Sequence, residues 1–255
     1  MAELADELAL ARDLAAQAGA LTLEYFGRGI EVEWKADETP VTAADRAAEA
    51  LIREGIERRF PEDGILGEEH GSREGSSGRR WIIDPIDGTQ SFVRGVPFYG
   101  TLIGLEIGSE VPLGVMSLPA LKTMLWAVLG QGAFRDGQQL QVSSVAKLAD
   151  ATLLTTDARP EFYGDKADGF ARVLSECARH RGWGDCYGYA LVASGEAEVM
   201  LDPVLSPWDC APLVAILAEA GGSFSDWSGR PTIRGGSGVG VNASLRAAVL
   251  GALKD

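Results

Sequence analysis

Histidine is scarce in this chain: only His70 and His180 occur in 255 residues. A mechanism that needs a cluster of imidazoles, for a metal or for phosphoryl relay, lacks its parts. Cysteine is scarce too. Cys177, Cys186 and Cys210 form no CxxC pair and leave an odd count, which argues against a disulfide framework and against a zinc knuckle and makes reduced thiols the expectation. No apolar run approaches 18 residues, and no basic segment leads into an apolar one at the start, so neither a membrane span nor a secretory leader is expected. The reading is a soluble, cytoplasmic protein. Positive charge is also in short supply, 23 Lys and Arg against 37 Asp and Glu, for a net charge of −14. Such a surface repels polynucleotides and makes nucleic acid an unexpected partner. An anionic small molecule would bind only where something local inverts the potential, and carboxylates do that by holding divalent cations.

What remains is an ordinary globular composition, 46% hydrophobic and 24% charged, in a chain long enough for one large domain or two joined subdomains. Apolar residues recur at helical spacing over 2–26, before Gly27 and Gly29, and again over 45–60, before Pro61. A short strand is expected near 30–34. "GILGEEH" and "RRWIID" read as two apolar strands, and the Gly- and Ser-rich "HGSREGSSGRR" between them as a surface loop. Residues 99–107, 114–118, 123–128 and 132–134 read as successive strands of a mainly antiparallel sheet. From Ala151 the order becomes strand, helix (170–180), helix (187–194), strand (199–202), helix (208–220), two strands and a helix (243–253). The expected fold is a layered α/β (α+β) protein in two subdomains, 1–147 and 148–255.

The stretch "WIIDPIDGTQSF" turns an apolar strand into two acids. Asp84 and Asp87 flank Pro85, which restricts the backbone, while Gly88 and Thr89 can open a short helix, so both carboxylates leave from one point. Two or three such oxygens with a backbone carbonyl suit magnesium, which favours oxygen and retains water. Taken alone, Asp87 reads first as a helix cap. Glu68 and Glu69 end the preceding apolar run, Asp209 in "SPWDCAP" opens a largely apolar helix, and Asp45 stands at another helix start. An acid in such surroundings is costly unless it is paired or metal-bound.

Glu68-Glu69, the run Asp84-Pro85-Ile86-Asp87-Gly88-Thr89 and Trp208-Asp209, in that order and preceded by "VTAAD" at 41–45, resemble the inositol monophosphatase superfamily of magnesium-dependent phosphatases over essentially the whole chain. The resemblance implies alternating αβαβα layers of the sugar-phosphatase type. It implies two or three Mg²⁺ ions: Glu68, Asp84 and the Ile86 carbonyl at one, Asp84, Asp87 and Asp209 at a second. It implies that Thr89 and Asp45 hold and help deprotonate the attacking water, that Glu69 plays a supporting catalytic role, and that Lys35 lies nearby. Two metals would acidify a water, neutralise the phosphate and stabilise the leaving oxygen, and the N–H groups of Gly88 and Thr89 would take phosphate oxygens. A homodimer is implied as well.

"FVRGVPFYGTLIGLE" and "WGDCYGYALVASGEAEVMLD" are similar to the histidinol-phosphate phosphatase branch of that superfamily, with inositol monophosphate the alternative ester. The implied substrate-side residues are Asp87, Gly88, Thr89, Asp185, Asp202 and Asp209, with Asp185 and Asp202 placed to meet an ammonium group. A plain helix cap is the competing reading of Asp185. Two other readings compete. A haloacid-dehalogenase-like phosphatase needs two acids two apart, not three. A sugar-phosphate- or metal-binding regulatory protein would keep the ligands without turnover. "RGGSGVGVNAS" lacks the Lys-Ser/Thr of a phosphate loop and reads as a turn and a strand, and Trp81, Trp126 and Trp208 read as core or site-wall residues.

Overall fold

The computed structural model describes residues 4–29, 32–34 and 40–254. Its first segment is α1 (Ala5–Tyr25), followed by the paired strands β1 (Glu33–Trp34) and β2 (Pro40–Val41) and by α2 (Ala43–Arg59). A large sheet follows, built from β3 (Gly64–Gly67), β4 (Gly71–Arg73), β5 (Arg79–Asp87), then after the short α3 (Thr89–Val93) from β6 (Gly100–Ile107), β7 (Glu110–Leu118), β8 (Thr123–Val128), β9 (Gly132–Arg135) and β10 (Gln138–Gln139). Its order is β10-β9-β8-β7-β6-β5-β3-β4, antiparallel except for the β3–β5 pair. A second sheet, β12-β11-β13-β15-β14, is drawn from β11 (Thr152–Thr155), β12 (Arg179–Arg181), β13 (Val199–Asp202), β14 (Gly222–Ser225) and β15 (Gly238–Asn242). The remaining helices are α4 (Ala167–Glu176), α5 (Asp185–Ala193), α6 (Pro207–Glu219) and α7 (Arg246–Lys254).

The period-2 alternation of strands sorts the side chains into layers. Trp81, Ile83 and Ile103 join the core beneath α1 and α2, whereas their neighbours Ile82 and Leu102 join a second core with α5 and α6. In the second sheet Leu154 and Met200 face that same middle core, and Leu153, Val199 and Leu201 face a third one under α4 and α7. The result is an αβαβα stack. Helices α5 and α6 are apolar on nearly every side because they lie between two sheets. Glycine makes the close approach on one side: a Cβ on Gly114 would overlap the backbone of Pro212 in α6, and one on Gly104 would come within 2.7 Å of the Ala211 Cβ.

Three expectations are corrected. The segment 70–80 is not all surface loop, since Gly71–Arg73 forms β4 and pairs antiparallel with β3. An edge strand this short needs only one ladder, so its Gly-Ser-Arg sequence carries no alternation to read. The helix expected over 170–180 ends at Glu176, and Arg179–Arg181 forms β12, parallel to β11. Here tertiary pairing overrides helical propensity. Pro85 does not end its strand: β5 runs on to Asp87 with a shift of register between Asp84 and Asp87, and Pro85, which has no N–H to contribute, sits at that irregularity. The strand expected at 30–34 is described only at Glu33–Trp34, since residues 30 and 31 lie outside the described residues.

Candidate active site

Among the described residues, Asp84, Asp87 and Asp209 each bring a carboxylate oxygen within 4.8 Å of the others. Asp84 and Asp87 stand at the end of β5, and Asp209 is the third residue of α6. Each is aimed by a backbone N–H. That of Ile86 donates to Asp84 Oδ1 (3.0 Å), that of Cys186 to Asp87 Oδ2 (2.5 Å) and that of Ser206 to Asp209 Oδ2 (2.7 Å), the last closing a capping box. Asp87 is thus no cap of the helix beside it. Gly88 occupies that N-cap position with φ +82° and no side-chain bond.

Burial pushes the Asp84 carboxyl well above its usual range, and the charges of Glu68, Asp87 and Asp209 push it further. Asp87 is raised likewise, by burial first and then by Asp185 and Asp209. Asp209 is pushed up to about 6, by burial above all. Like charges gathered in a low dielectric demand protons or a cation. The set is one of hard oxygens, because burial raises the thiols of Cys186 and Cys210 and keeps them protonated. This donor set fits a hard divalent cation.

Glu68 follows β3 and lines the same 310 Å³ hollow as Asp84, Ile86, Asp87, Thr89 and Asp209. The turn that carries Glu68 and Glu69 is built on Glu49 of α2, a fully buried acid that accepts the N–H groups of Glu69 (2.7 Å) and His70 (3.1 Å) and pairs with Arg53 (2.6 Å). The Thr89 hydroxyl donates to the Ile86 carbonyl at 3.0 Å, so its lone pairs remain to accept. Asp45 is fully buried. One of its oxygens accepts the Thr42 N–H (2.8 Å) and hydroxyl (2.5 Å), while Oδ1 has no partner among the described residues. Burial, opposed by Thr42 and aided by the charges of Glu69 and Glu68, raises Asp45 to about 6. The hydrogen bonds of Thr89 and Asp45 therefore go to different partners, and Asp45 is not part of the hollow's wall. Lys35 lies outside the described residues.

A second hollow of 430 Å³ adjoins the first and shares Asp87, Asp185, Val204, Leu205 and Asp209 with it. Asp185 and Asp202 line it. The competing cap reading of Asp185 fails on geometry, because Gly184 is the N-cap of α5 and makes no side-chain bond. Asp185 itself adopts a left-handed φ of +52° and comes beside Gly88, whose Cβ, if present, would lie 3.0 Å from Asp185 Oδ2 and from the Phe98 carbonyl. Burial, then the charges of Asp202 and Asp209, raise Asp185 to about 7, and burial raises Asp202 to about 6. Asp202 Oδ2 and the Tyr189 hydroxyl are both buried and interact with each other, which lowers the carboxyl and raises the phenol, and neither has a further partner among the described residues.

Sequence reasoning missed Thr156, which joins the two acids: its hydroxyl accepts the Asp185 N–H (2.8 Å) and its N–H donates to Asp202 Oδ1 (3.2 Å). No local pattern signals a threonine at a strand end as such a bridge. Glu49 was missed as well, though an acid amid the apolar positions of an amphipathic helix is a usable signal.

The inositol monophosphatase family model matches residues 3–254. A histidinol-phosphatase of Chlorobaculum parvum is 48% identical over 234 residues, covering 91% of this chain and 90% of the relative, and one of Mycobacterium tuberculosis is 42% identical, covering 96% of each. Among solved structures, the extragenic suppressor protein SuhB of Bartonella henselae aligns with a TM-score of 0.92 at 28% identity over 98% of this chain and 99% of that one. An IMPase of Thermotoga maritima aligns with a TM-score of 0.86 at 31% identity, covering 97% and 96%. The layers, the clustered acids and the full-length matches lead to one conclusion: the chain belongs to the inositol monophosphatase family, and it is a phosphatase.

Proposed function

We propose that the chain is a magnesium-dependent phosphate monoester hydrolase that converts L-histidinol phosphate and water to L-histidinol and phosphate. The observation that carries the substrate is the second hollow, where the carboxylates of Asp185 and Asp202 stand beside the acid cluster with no cation among the hollow's lining residues. An ammonium group satisfies them, and histidinol phosphate carries one next to its phosphate-bearing carbon, whereas inositol phosphate offers neutral hydroxyls. Relatives at 40–48% identity bear the name histidinol-phosphatase, which supports the same reading.

In this reading Glu68, Asp84, the Ile86 carbonyl, Asp87 and Asp209 hold two or three Mg²⁺ ions. When bound, these neutralise the phosphate and acidify a water. Thr89, its proton committed to Ile86, accepts a hydrogen bond from the attacking water and orients it. Asp45, with one oxygen unpartnered, takes up the proton directly or through a further water, and Glu69 supports it. The N–H groups of Gly88 and Thr89 face phosphate oxygens, and the absence of a Cβ at Gly88 lets Asp185 and the Phe98 carbonyl approach it closely. Residues 1–147 and 148–255 act as two subdomains of one catalytic unit, in a cytoplasmic homodimer. No helix of the described residues is long and apolar enough to cross a membrane.

The test is phosphate release from histidinol phosphate and from inositol 1-phosphate, with Mg²⁺ and with chelator, in wild type and Asp185→Asn. A charge-assisted contact contributes about 1.5–3 kcal/mol. The wild type should prefer histidinol phosphate, and the substitution should lower that preference, as a ratio of kcat/KM values, by roughly ten- to a hundredfold. A wild type that prefers inositol phosphate would defeat the substrate assignment. Mg²⁺-independent turnover would defeat the metal one.

A further inference from the structure

Asp157 and Phe162, on the segment between β11 and α4, form a wall of the second hollow and take no part in the hollow that holds the acid cluster. Neither belongs to any motif. In the structure a neighbouring side chain, Arg159, covers both. Its Nε lies 3.1 and 2.9 Å from the two Asp157 carboxylate oxygens and its Nη2 donates to Oδ2 at 2.7 Å, while its Cζ stands 4.2 Å from the centre of the Phe162 ring. A planar, delocalised cation is thus held edge-on by a carboxylate and face-on by an aromatic ring. The pair is anchored rather than loose. The Tyr163 hydroxyl donates to the Asp157 carbonyl at 2.5 Å, and the Tyr163 ring stacks on Phe170 of α4 at 4.0 Å in the third core. Arg159 itself is largely solvent-exposed, so it can swing away at little cost in packing.

We infer that Asp157 and Phe162 form the subsite for the ring end of the alcohol, with the Arg159 guanidinium occupying in the free protein the place that an imidazole takes in the complex. This rests on the substrate reading above and deepens it. An imidazole has the same two requirements as the guanidinium, an N–H for a carboxylate in its plane and an aromatic ring for its face. The carbon skeleton of histidinol phosphate then lies along the hollow: phosphate at the acid cluster, ammonium at Asp185 and Asp202, ring at Asp157 and Phe162. The residues on this wall would set preference between esters without touching the reacting atoms.

O-Phosphoethanolamine is the informative comparison, because it keeps the ammonium one carbon from the ester carbon and lacks the ring. Steady-state kinetics on both esters should show that Phe162→Ala and Asp157→Asn each lower the ratio of kcat/KM for histidinol phosphate over phosphoethanolamine by about five- to tenfold, mainly through KM. Arg159→Gln should lower KM for histidinol phosphate severalfold, since it removes the internal competitor. L-Histidinol as a product inhibitor should follow the same order. Ratios unchanged in both wall variants, equal losses on the two esters, or a KM raised by Arg159→Gln would overturn the inference while leaving a wild type active on histidinol phosphate, and the function, in place. A wild type that shows no preference for histidinol phosphate over phosphoethanolamine or inositol phosphate overturns both.

Discussion

Replacing Asp45 by Asn should stabilise the metal-free protein at alkaline pH while removing most of its activity. Asp45 is fully buried, one oxygen is without a partner among the described residues, and its pKa is raised to about 6 from an ordinary 3.8. The folded value lies above the unfolded one, so between about pH 4 and 6 the native state holds a proton that the unfolded chain has released. Stability therefore falls as pH rises through that window, and the deficit is complete above it. Two units correspond to about 3 kcal/mol. Asparagine keeps an oxygen for the Thr42 N–H and hydroxyl but loses their charge assistance, which costs about 1 kcal/mol. The net gain at pH 8 is about 2 kcal/mol, or a Tm about 4–8 °C higher for a chain of this size, and at pH 4 the substitution no longer stabilises. Thermal unfolding followed by circular dichroism, in chelator at pH 4.5 and pH 8, measures it, and phosphate release measures the activity, expected to fall by roughly a hundredfold or more. A Tm change of the same sign and size at both pH values would refute the electrostatic argument, and undiminished turnover would refute the role of Asp45 as base.

Asp84→Asn should abolish turnover, because it takes a full charge from the proposed bridging ligand, while the metal-free protein unfolds at an equal or higher temperature; measurable turnover near the wild-type rate would contradict it. Mg²⁺ should raise Tm more at pH 8 than at pH 5, since protons on the raised carboxyls of Asp84, Asp87 and Asp209 compete with the ion, and a calorimetric scan at the two pH values checks the order. Gly88→Ala should cost about 1–2 kcal/mol and more than tenfold in kcat/KM, because a side chain at φ +82° is strained and its Cβ would press on Asp185 and on the Phe98 carbonyl; denaturant unfolding and kinetics read the two losses separately.

Much of this molecule was legible before its fold was known, and what was legible was local. Strand β8 and strand β13 match their expected limits because alternation and turn residues bracket them, and α6 is announced by Ser206, Pro207 and Asp209 in succession. The acids of the site could be named because each stands at one end of an element, and the ends of elements are where a layered fold gathers its polar groups. The bonds that aim them could not. Cys186 donates to Asp87 across 99 positions, and Thr156 holds Asp185 and Asp202 from 29 and 46 positions away. Such partners are fixed by how the two sheets pack, which no window of neighbouring residues encodes. β12 was misread for the same reason, since "RHR" becomes a strand only because β11 lies beside it.

The position of α5 and α6 between the sheets has a consequence for the chain as it is made. Ile82, Leu102, Met116 and Leu125 of the first sheet belong to the core that these helices complete, yet the helices begin a hundred residues after Ile82 and end at Glu219. A nascent chain that has emerged only as far as β10 therefore carries an uncovered apolar face with an incomplete acid cluster at its edge. Ribosome-arrested fragments ending before residue 219 should bind holdase chaperones and resist refolding, and fragments extended past β15 should be released from them. The proposed metal site is then completed last in synthesis, after the helix bearing Asp209 has closed the sandwich.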